Sequence, residues 1–306
     1  MGGRAALFCA VALAAAVILP AWLSPFHLRV GLAIFLSAGM AVGWYVLGGY
    51  ARYYSFGHTA FVGVGAFSGG LASAALPPLG WAASFALCLL VGTFACAVLA
   101  AVIAWPLLRL RGHYFTIAML AVALVCGEAA SAFPVFRGAL GLTLPDVVPP
   151  SLRPELFFYW SGLVALAVAL AIAAAIGRSR LGFGLFAIRE DEDAAEMLGV
   201  PTTRVKIVAF VASATITGLM GALYGLNLGY ITTDSVFRGA ISLDMIVASL
   251  VGGMSSLTGP VVGAVAMTIL TKVLLGGFLE FHLALTGIVV IGVVFFAPDR
   301  IFRARP

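Results

Sequence analysis

The sequence predicts an all-α polytopic membrane protein of about ten transmembrane segments, with eight or nine as the alternatives and both termini cytoplasmic. Three observations carry this prediction. Hydrophobic residues make up 63% of the 306 and charged residues only 9%, with a mean hydropathy of +1.14, whereas a soluble domain is about half apolar and a quarter charged. The apolar runs approach the ~20 residues that carry a helix across a bilayer, and they lack the alternation of a membrane barrel. The basic residues are unevenly placed. With residues 241–276 read as two spans, twelve of the 17 Lys and Arg fall on one side: Arg4, Arg52, Arg109, Arg111, Arg178, Arg180, Arg189, Arg204, Lys206, Arg300, Arg303 and Arg305. Arg29, Arg137, Arg153 and Arg238 fall on the other, and Lys272 lies at a span edge. Enrichment of Lys and Arg marks the cytoplasmic side. The net charge of +5 is therefore read as an inner-face property, with lipid and not nucleic acid as the surroundings.

The chain reads as one transmembrane domain over residues 1–306. Residues 5–23 form a first apolar run after Arg4, read as a retained helix and not a signal peptide because no small-x-small cleavage pattern follows. Residues 28–50 form the second span. Residues 53–75 form the third, rich in glycine at Gly57, Gly63, Gly65, Gly69 and Gly70, which permits close helix approach. Ser55, His58 and Thr59 put polar groups near its start. They are either ordinary packing partners or the lining of a permeation path.

Pro77-Pro78 is a turn, and 81–105 is the fourth span. A short basic loop, Leu108 to Phe115, precedes the fifth span at 114–133. That span contains Glu128, an intramembrane carboxylate of the kind that faces a bundle interior or water, although it lies towards the outer third. Residues 134–154 hold five prolines and read as an outer loop that could serve for docking. Residues 156–176 are the sixth span, and residues 204–228 include the seventh. Residues 241–272 are too long for one straight span, since 32 residues of helix reach about 48 Å. The chain is expected to break within Gly252-Gly253-x-Ser255-Ser256-x-x-Gly259-Pro260, either as a plain hairpin or as irregular backbone lining a cavity. Residues 278–297 are the last span. Cys9, Cys88, Cys96 and Cys126 all sit in apolar runs without metal-ligand spacing, and read as free thiols.

Between the sixth and seventh spans lies the longest charge-bearing stretch, residues 177–206. Arg189 to Leu198 reads as a short helix, with acids Glu190, Asp191, Glu192 and Asp193 at its start, where the helix dipole favours them. Gly199 stands where a left-handed C-terminal cap is expected, and Pro201 blocks continuation. Ala194, Ala195 and Leu198 make a small apolar face on which a partner could dock.

This stretch carries a resemblance. Asp193-Ala194-Ala195-x-x-x-Gly199 resembles the acidic-Ala-Ala-x-x-x-Gly loop of ABC-importer permeases. Ala187-Ile188-Arg189-Glu190-Asp191-Glu192, with Ala194, Ala195 and Gly199, is similar more narrowly to the M-type permeases of branched-chain amino acid importers (LivM-like). Three further stretches match that pattern in family order: Tyr54-Ser55-x-Gly57-His58-x-x-Phe61-x-Gly63-x-Gly65-Ala66, Leu108 to Phe115, and Leu250-x-Gly252-Gly253-x-x-Ser256-x-x-Gly259-Pro260.

The resemblance implies a multi-pass permease of the bacterial inner membrane. It implies a homologous second permease subunit, two cytoplasmic ATPase subunits and an extracytoplasmic solute-binding protein. Arg189, Glu190, Asp191, Glu192, Ala194, Ala195, Leu198 and Gly199 would form the ATPase-coupling helix. Ser55, His58, Thr59, Gly63, Gly65, Glu128, Gly252, Gly253 and Ser256 are the candidates for the translocation path. No phosphate loop of the Gly-x-x-x-x-Gly-Lys-Ser/Thr type occurs, so ATP and magnesium are expected on the partner and no cofactor on this chain. Branched-chain or other amino acids are the expected cargo, with urea and small organic acids as related possibilities. An ion-coupled secondary transporter would want a buried acidic relay, for which only Glu128 lies well inside a span. An intramembrane enzyme built on His58, His113, Glu128 or Asp244 lacks any supporting motif.

Overall fold

The computed structural model describes Pro20 and residues 23–75, 80–136 and 140–274. The first span at 5–23 (but for Pro20 and Leu23), the Pro77-Pro78 turn and the last span at 278–297 lie outside the described residues. Among those described, six helices are long and apolar enough to cross a membrane, and two shorter apolar ones, Thr59–Ala75 and Thr258–Lys272, accompany them.

Helix α1, Pro25–Ala51, is the central post. Proline at its first turn presets the helical φ, and every residue from Ala38 to Ala51 is buried. α5 (Pro154–Arg178), α8 (Thr202–Leu228) and the pair α10 (Gly239–Gly252) and α11 (Thr258–Thr268) pack around it; the one-turn α9 (Thr233–Val236) precedes α10, and the two together make the membrane-length stretch Thr233–Gly252. On its far side α8 packs against α2 (Thr59–Ala75) and α3 (Trp81–Leu107). α4 (His113–Ala132) lies outside α2. Leu90, Phe94, Val98 and Val102 of α3 and Tyr114, Ile117 and Leu124 of α4 are exposed, an apolar outer surface of the kind hydrocarbon accepts.

Lipid tails are as apolar as leucine, so helix contact in a membrane relies on close packing and hydrogen bonds. The contact of α2, α3 and α8 shows how. A Cβ on Gly65 would sit 2.4 Å from the Gly218 carbonyl oxygen, and one on Gly92 would sit 2.4 Å from that of Gly65. Three backbones meet where no side chain fits.

The expected third span is shorter than the sequence suggests. Arg52 caps α1 in the left-handed region, at φ 58°, and the chain does not become helical again until Thr59. Gly57 is pressed against α4, where a Cβ would lie 1.8 Å from the Met119 carbonyl oxygen. Side chains stand in for the missing helical hydrogen bonds. Trp44 Nε1 donates to the Ser55 carbonyl at 2.8 Å and Thr116 Oγ1 to that of Tyr54 at 2.9 Å.

The expected break in residues 241–272 is present as a hairpin. α10 ends at Gly252, a turn occupies residues 253–257, and α11 begins at Thr258. Thr258, Gly259 and Pro260 are thus helical, and the irregular part is shorter than the expected 252–260. A Cβ on Gly252 would collide with the Gly259 carbonyl oxygen at 1.7 Å and one on Gly263 with that of Ala248 at 1.8 Å, so the two helices run back along each other. β1, Leu142–Thr143, pairs antiparallel with β2, Tyr230–Ile231, and Leu142, Leu144 and Val147 are buried. The loop that carries them is folded onto the end of the bundle that carries Ala75 and Leu228.

Candidate functional site at the charged end and the membrane break

Two polar regions stand out, and the stretch at residues 52–59 joins them. The first is at the end of the bundle where α1, α3 and α5 finish and α8 begins. The described cations predicted to be cytoplasmic collect there, on residues 52, 109, 111, 178, 180, 189, 204 and 206.

The short helix of this end starts later than the sequence reading placed it. Residues 180–190 form their own helix, α6 (Arg180–Glu190), capped by Ser179, whose hydroxyl accepts from the Gly182 amide. Asp191 turns extended, at φ −158°, and its carboxylate accepts from the Ala194 amide to cap α7, Glu192–Met197. Arg189 and Glu190 therefore close α6 and do not open the short helix that follows. Gly199 has φ +86°, and the Val200 amide donates to the Ala195 carbonyl, as a left-handed cap requires.

The faces of α7 also differ from expectation. Ala195 is 2% exposed, whereas Met197 and Leu198 are 83% and 85% exposed. Ala195 thus packs against its own domain and offers no face to a partner. Met197, which the sequence reading passed over, stands out with Leu198. Beside them α6, the 198–201 turn and Val205 border a shallow groove lined by Phe183, Leu198 and Val200.

Glu192, expected among the residues that meet an ATPase subunit, is likewise turned inward. Lys206, on α8 and 3% exposed at its side chain, lies 2.6 Å from Glu192 Oε1. Its Nζ also donates to the Tyr53 hydroxyl at 3.0 Å and to the Leu108 carbonyl at 3.1 Å. An ammonium group has three protons, and all three are used. Tyr53 in turn donates to Glu192 Oε2. Burial, with the Glu192 hydrogen bond adding to it, pushes the Tyr53 phenol well above its ordinary range, so it stays a donor. Outside this core Arg111 reaches Asp193 at 2.7 Å and Glu192 at 3.8 Å. Arg189 Nη1 donates to the Gly49 carbonyl at 3.3 Å, and Arg52 Nη1 donates to the Arg189 carbonyl at 3.4 Å. Helix α7 is therefore tied to the ends of α1, α3 and α8 at once. The sequence signal for this was available in one place: Lys206 stands at the edge of the stretch that includes the seventh span, where a cation needs a partner.

The second region is the start of α2. His58 Nε2 lies 2.7 Å from Ser213 Oγ. Ser213 spends its one proton on the Gly43 carbonyl at 2.6 Å, so Nε2 carries a proton and donates, and Nδ1 is left as a buried acceptor without a protein partner. Ser213 lies eleven residues into α8, about 16 Å along the helix. The Thr59 amide donates to Ser242 Oγ at 2.8 Å, and Thr59 Oγ1 lies 3.2 Å from the Val236 and Arg238 carbonyls. Ser55 Oγ is buried without a partner.

The remaining path candidates do not gather around these groups. Gly63 abuts the Phe237 ring and Gly65 the α8 backbone. Glu128 is exposed on α4. Gly252 ends α10, and Gly253 and the exposed Ser256 belong to the hairpin turn, where Tyr45 donates to the Met254 carbonyl at 3.1 Å.

Comparison with known proteins gives this geometry a context. The high-affinity branched-chain amino acid transport system permease protein LivM of Salmonella typhimurium is 28% identical over 152 residues, 49% of this chain and 35% of that one. The xylose/arabinose import permease protein XylH of Sulfolobus acidocaldarius is 32% identical over 180 residues, 55% of this chain and 46% of that one. The autoinducer 2 import system permease protein LsrC of Yersinia pseudotuberculosis is 27% identical over 143 residues, 44% and 40%. The matched part spans less than half the length of each relative. No solved structure matches the chain. Residues 28–297 match the family described as "Branched-chain amino acid transport system / permease component", and the chain belongs to that family of multi-pass ABC-importer permeases.

Proposed function

We propose that this chain forms part of the membrane path of an ABC importer for a small polar solute, with branched-chain or other amino acids as its cargo. ATP hydrolysis takes place on separate ATPase subunits, and α7 with its flanking turns is the element they grip. A second, homologous permease subunit and an extracytoplasmic solute-binding protein complete the assembly. The observation that carries the coupling assignment is the pairing of opposites on α7. One face is locked by Glu192 and Ala195 to the membrane helices, and the other presents Met197 and Leu198 almost fully exposed. A lever needs one fixed face and one free to be pushed. The cargo assignment rests on the family description and on the LivM similarity. The exposed position of Glu128 favours an ATPase-driven device over an ion-coupled one.

The test is co-purification of the full chain with its ATPase subunits, followed by ATP-dependent uptake of radiolabelled leucine into proteoliposomes. Leu198→Asp places a charge on the exposed face and should weaken ATPase association by about tenfold or more, as loss of an interface anchor does. If ATPase subunits remain bound and uptake is unchanged, α7 is not the coupling element.

A further inference from the structure

The geometry points to Tyr53 as the residue that passes movement of α7 into the membrane interior, with Lys206 and Glu192 holding it there. This rests on α7 being the ATPase-coupled element.

Three observations converge on Tyr53. It is the contact between α7 and the chain that leads to α2, since its hydroxyl donates to Glu192 and accepts from Lys206. Its ring is also held, with Lys206 Nζ 4.9 Å from the centroid and Phe115 edge-on at 5.3 Å. Beyond it residues 54–58 are not helical. The six steps from Tyr53 to Thr59 span at most about 22 Å, and at their far end lie His58, bonded to Ser213, and Thr59, bonded to Ser242.

A helix in this place would have carried its own hydrogen bonds and moved as a rod with α2. Irregular chain is different. The hydrogen bonds that hold it come from other helices, Trp44 of α1 and Thr116 of α4. A shift of α7 displaces Tyr53 directly, because Glu192 and Lys206 leave its hydroxyl no alternative partner. The displacement then reaches the start of α2 through five residues that can change dihedrals without breaking a helix. Lys206, Glu192 and Tyr53 are thus positioning residues: they touch no cargo and act through the 54–59 segment.

Hydrogen exchange on the full chain, purified with its ATPase subunits in nanodiscs, tests this with ATP and vanadate as the probe. In the wild type, trapping should change amide exchange at both 189–199 and 54–59. Tyr53→Phe removes one oxygen and keeps the ring. It should retain the response at 189–199 and reduce that at 54–59 by about tenfold, the scale of an ordinary coupling energy. Lys206→Met should do the same where it folds. If both variants keep the full response at 54–59, or if the wild type responds at 189–199 alone, the link through Tyr53 is overturned while the coupling reading stands. If trapping alters neither segment in a wild-type complex that retains its ATPase, the coupling reading falls and this inference with it.

Discussion

The charged junction at α7 and the neutral start of α2 satisfy buried polar groups by opposite means. At the junction a full ion pair, Lys206 with Glu192, is backed by a phenol and a carbonyl. At the start of α2 the partners are hydroxyls, amides and an imidazole, with no described ion pair among them. The difference follows from depth. Near the bundle end, Glu192 keeps 15% of its side chain exposed and water screens part of its charge. About 16 Å into the bundle an ion pair would lose its hydration without that relief, and neutral donors cost less. The two regions should therefore answer mutation differently.

The largest effect is expected from breaking the ion pair on one side. Lys206→Met leaves Glu192 and Tyr53 facing each other without the cation and should cost about 3 kcal/mol, read as a fall in thermal stability in detergent. Adding Glu192→Leu should recover most of the loss, because replacing both charges removes the desolvation cost together with the attraction. A double variant as unstable as the single would mean that the loss comes from packing and not charge.

Gly65→Val should rank next, at about 2 kcal/mol, because its Cβ would stand 2.4 Å from the Gly218 carbonyl and backbone cannot step aside. Thermal unfolding would check this, with Gly112→Ala as a comparison site whose added Cβ meets nothing within 4 Å but whose φ is +56°. At the neutral region Ser213→Ala strips His58 of its acceptor and should cost about 1–2 kcal/mol. Its effect should be insensitive to salt. The smallest effect belongs to Arg111→Gln. Arg111 and Asp193 are 54% and 71% exposed, and such pairs contribute about 0.5 kcal/mol. Half-molar salt should erase the difference between Arg111→Gln and wild type. A salt-resistant loss would place Arg111 in the buried network with Lys206.

Much of this was legible in the residues, and the misses have identifiable causes. The Gly199 cap could be read because αL geometry is a local demand that glycine meets. The hairpin at 253–257 could be read because a helix of that length overshoots a bilayer. The start of α2 could not. Residues 53–58 look like a span, and they stay unwound because Trp44, Thr116 and Met119, remote in sequence, take their hydrogen bonds and their space. The inward turn of Ala195 and Glu192 was equally hidden, since a six-residue helix can present either face. Only Lys206 and Tyr53 decide which one is bound.

The sequence by itself determined that this chain crosses a membrane repeatedly as helices, and which loops share its positive end. Hydrocarbon tolerates neither unpaired backbone nor scattered charge, so those features are written in local composition. It also determined the family, through short motifs kept in order. Tertiary structure alone decided that α7 is clamped to the ends of α1, α3 and α8, and that a non-helical segment leads from that clamp to His58. Those arrangements rest on hydrogen bonds between different segments, some of them between residues more than 100 positions apart, such as Tyr53 with Glu192 and His58 with Ser213. No local pattern encodes a contact whose two halves lie on different helices.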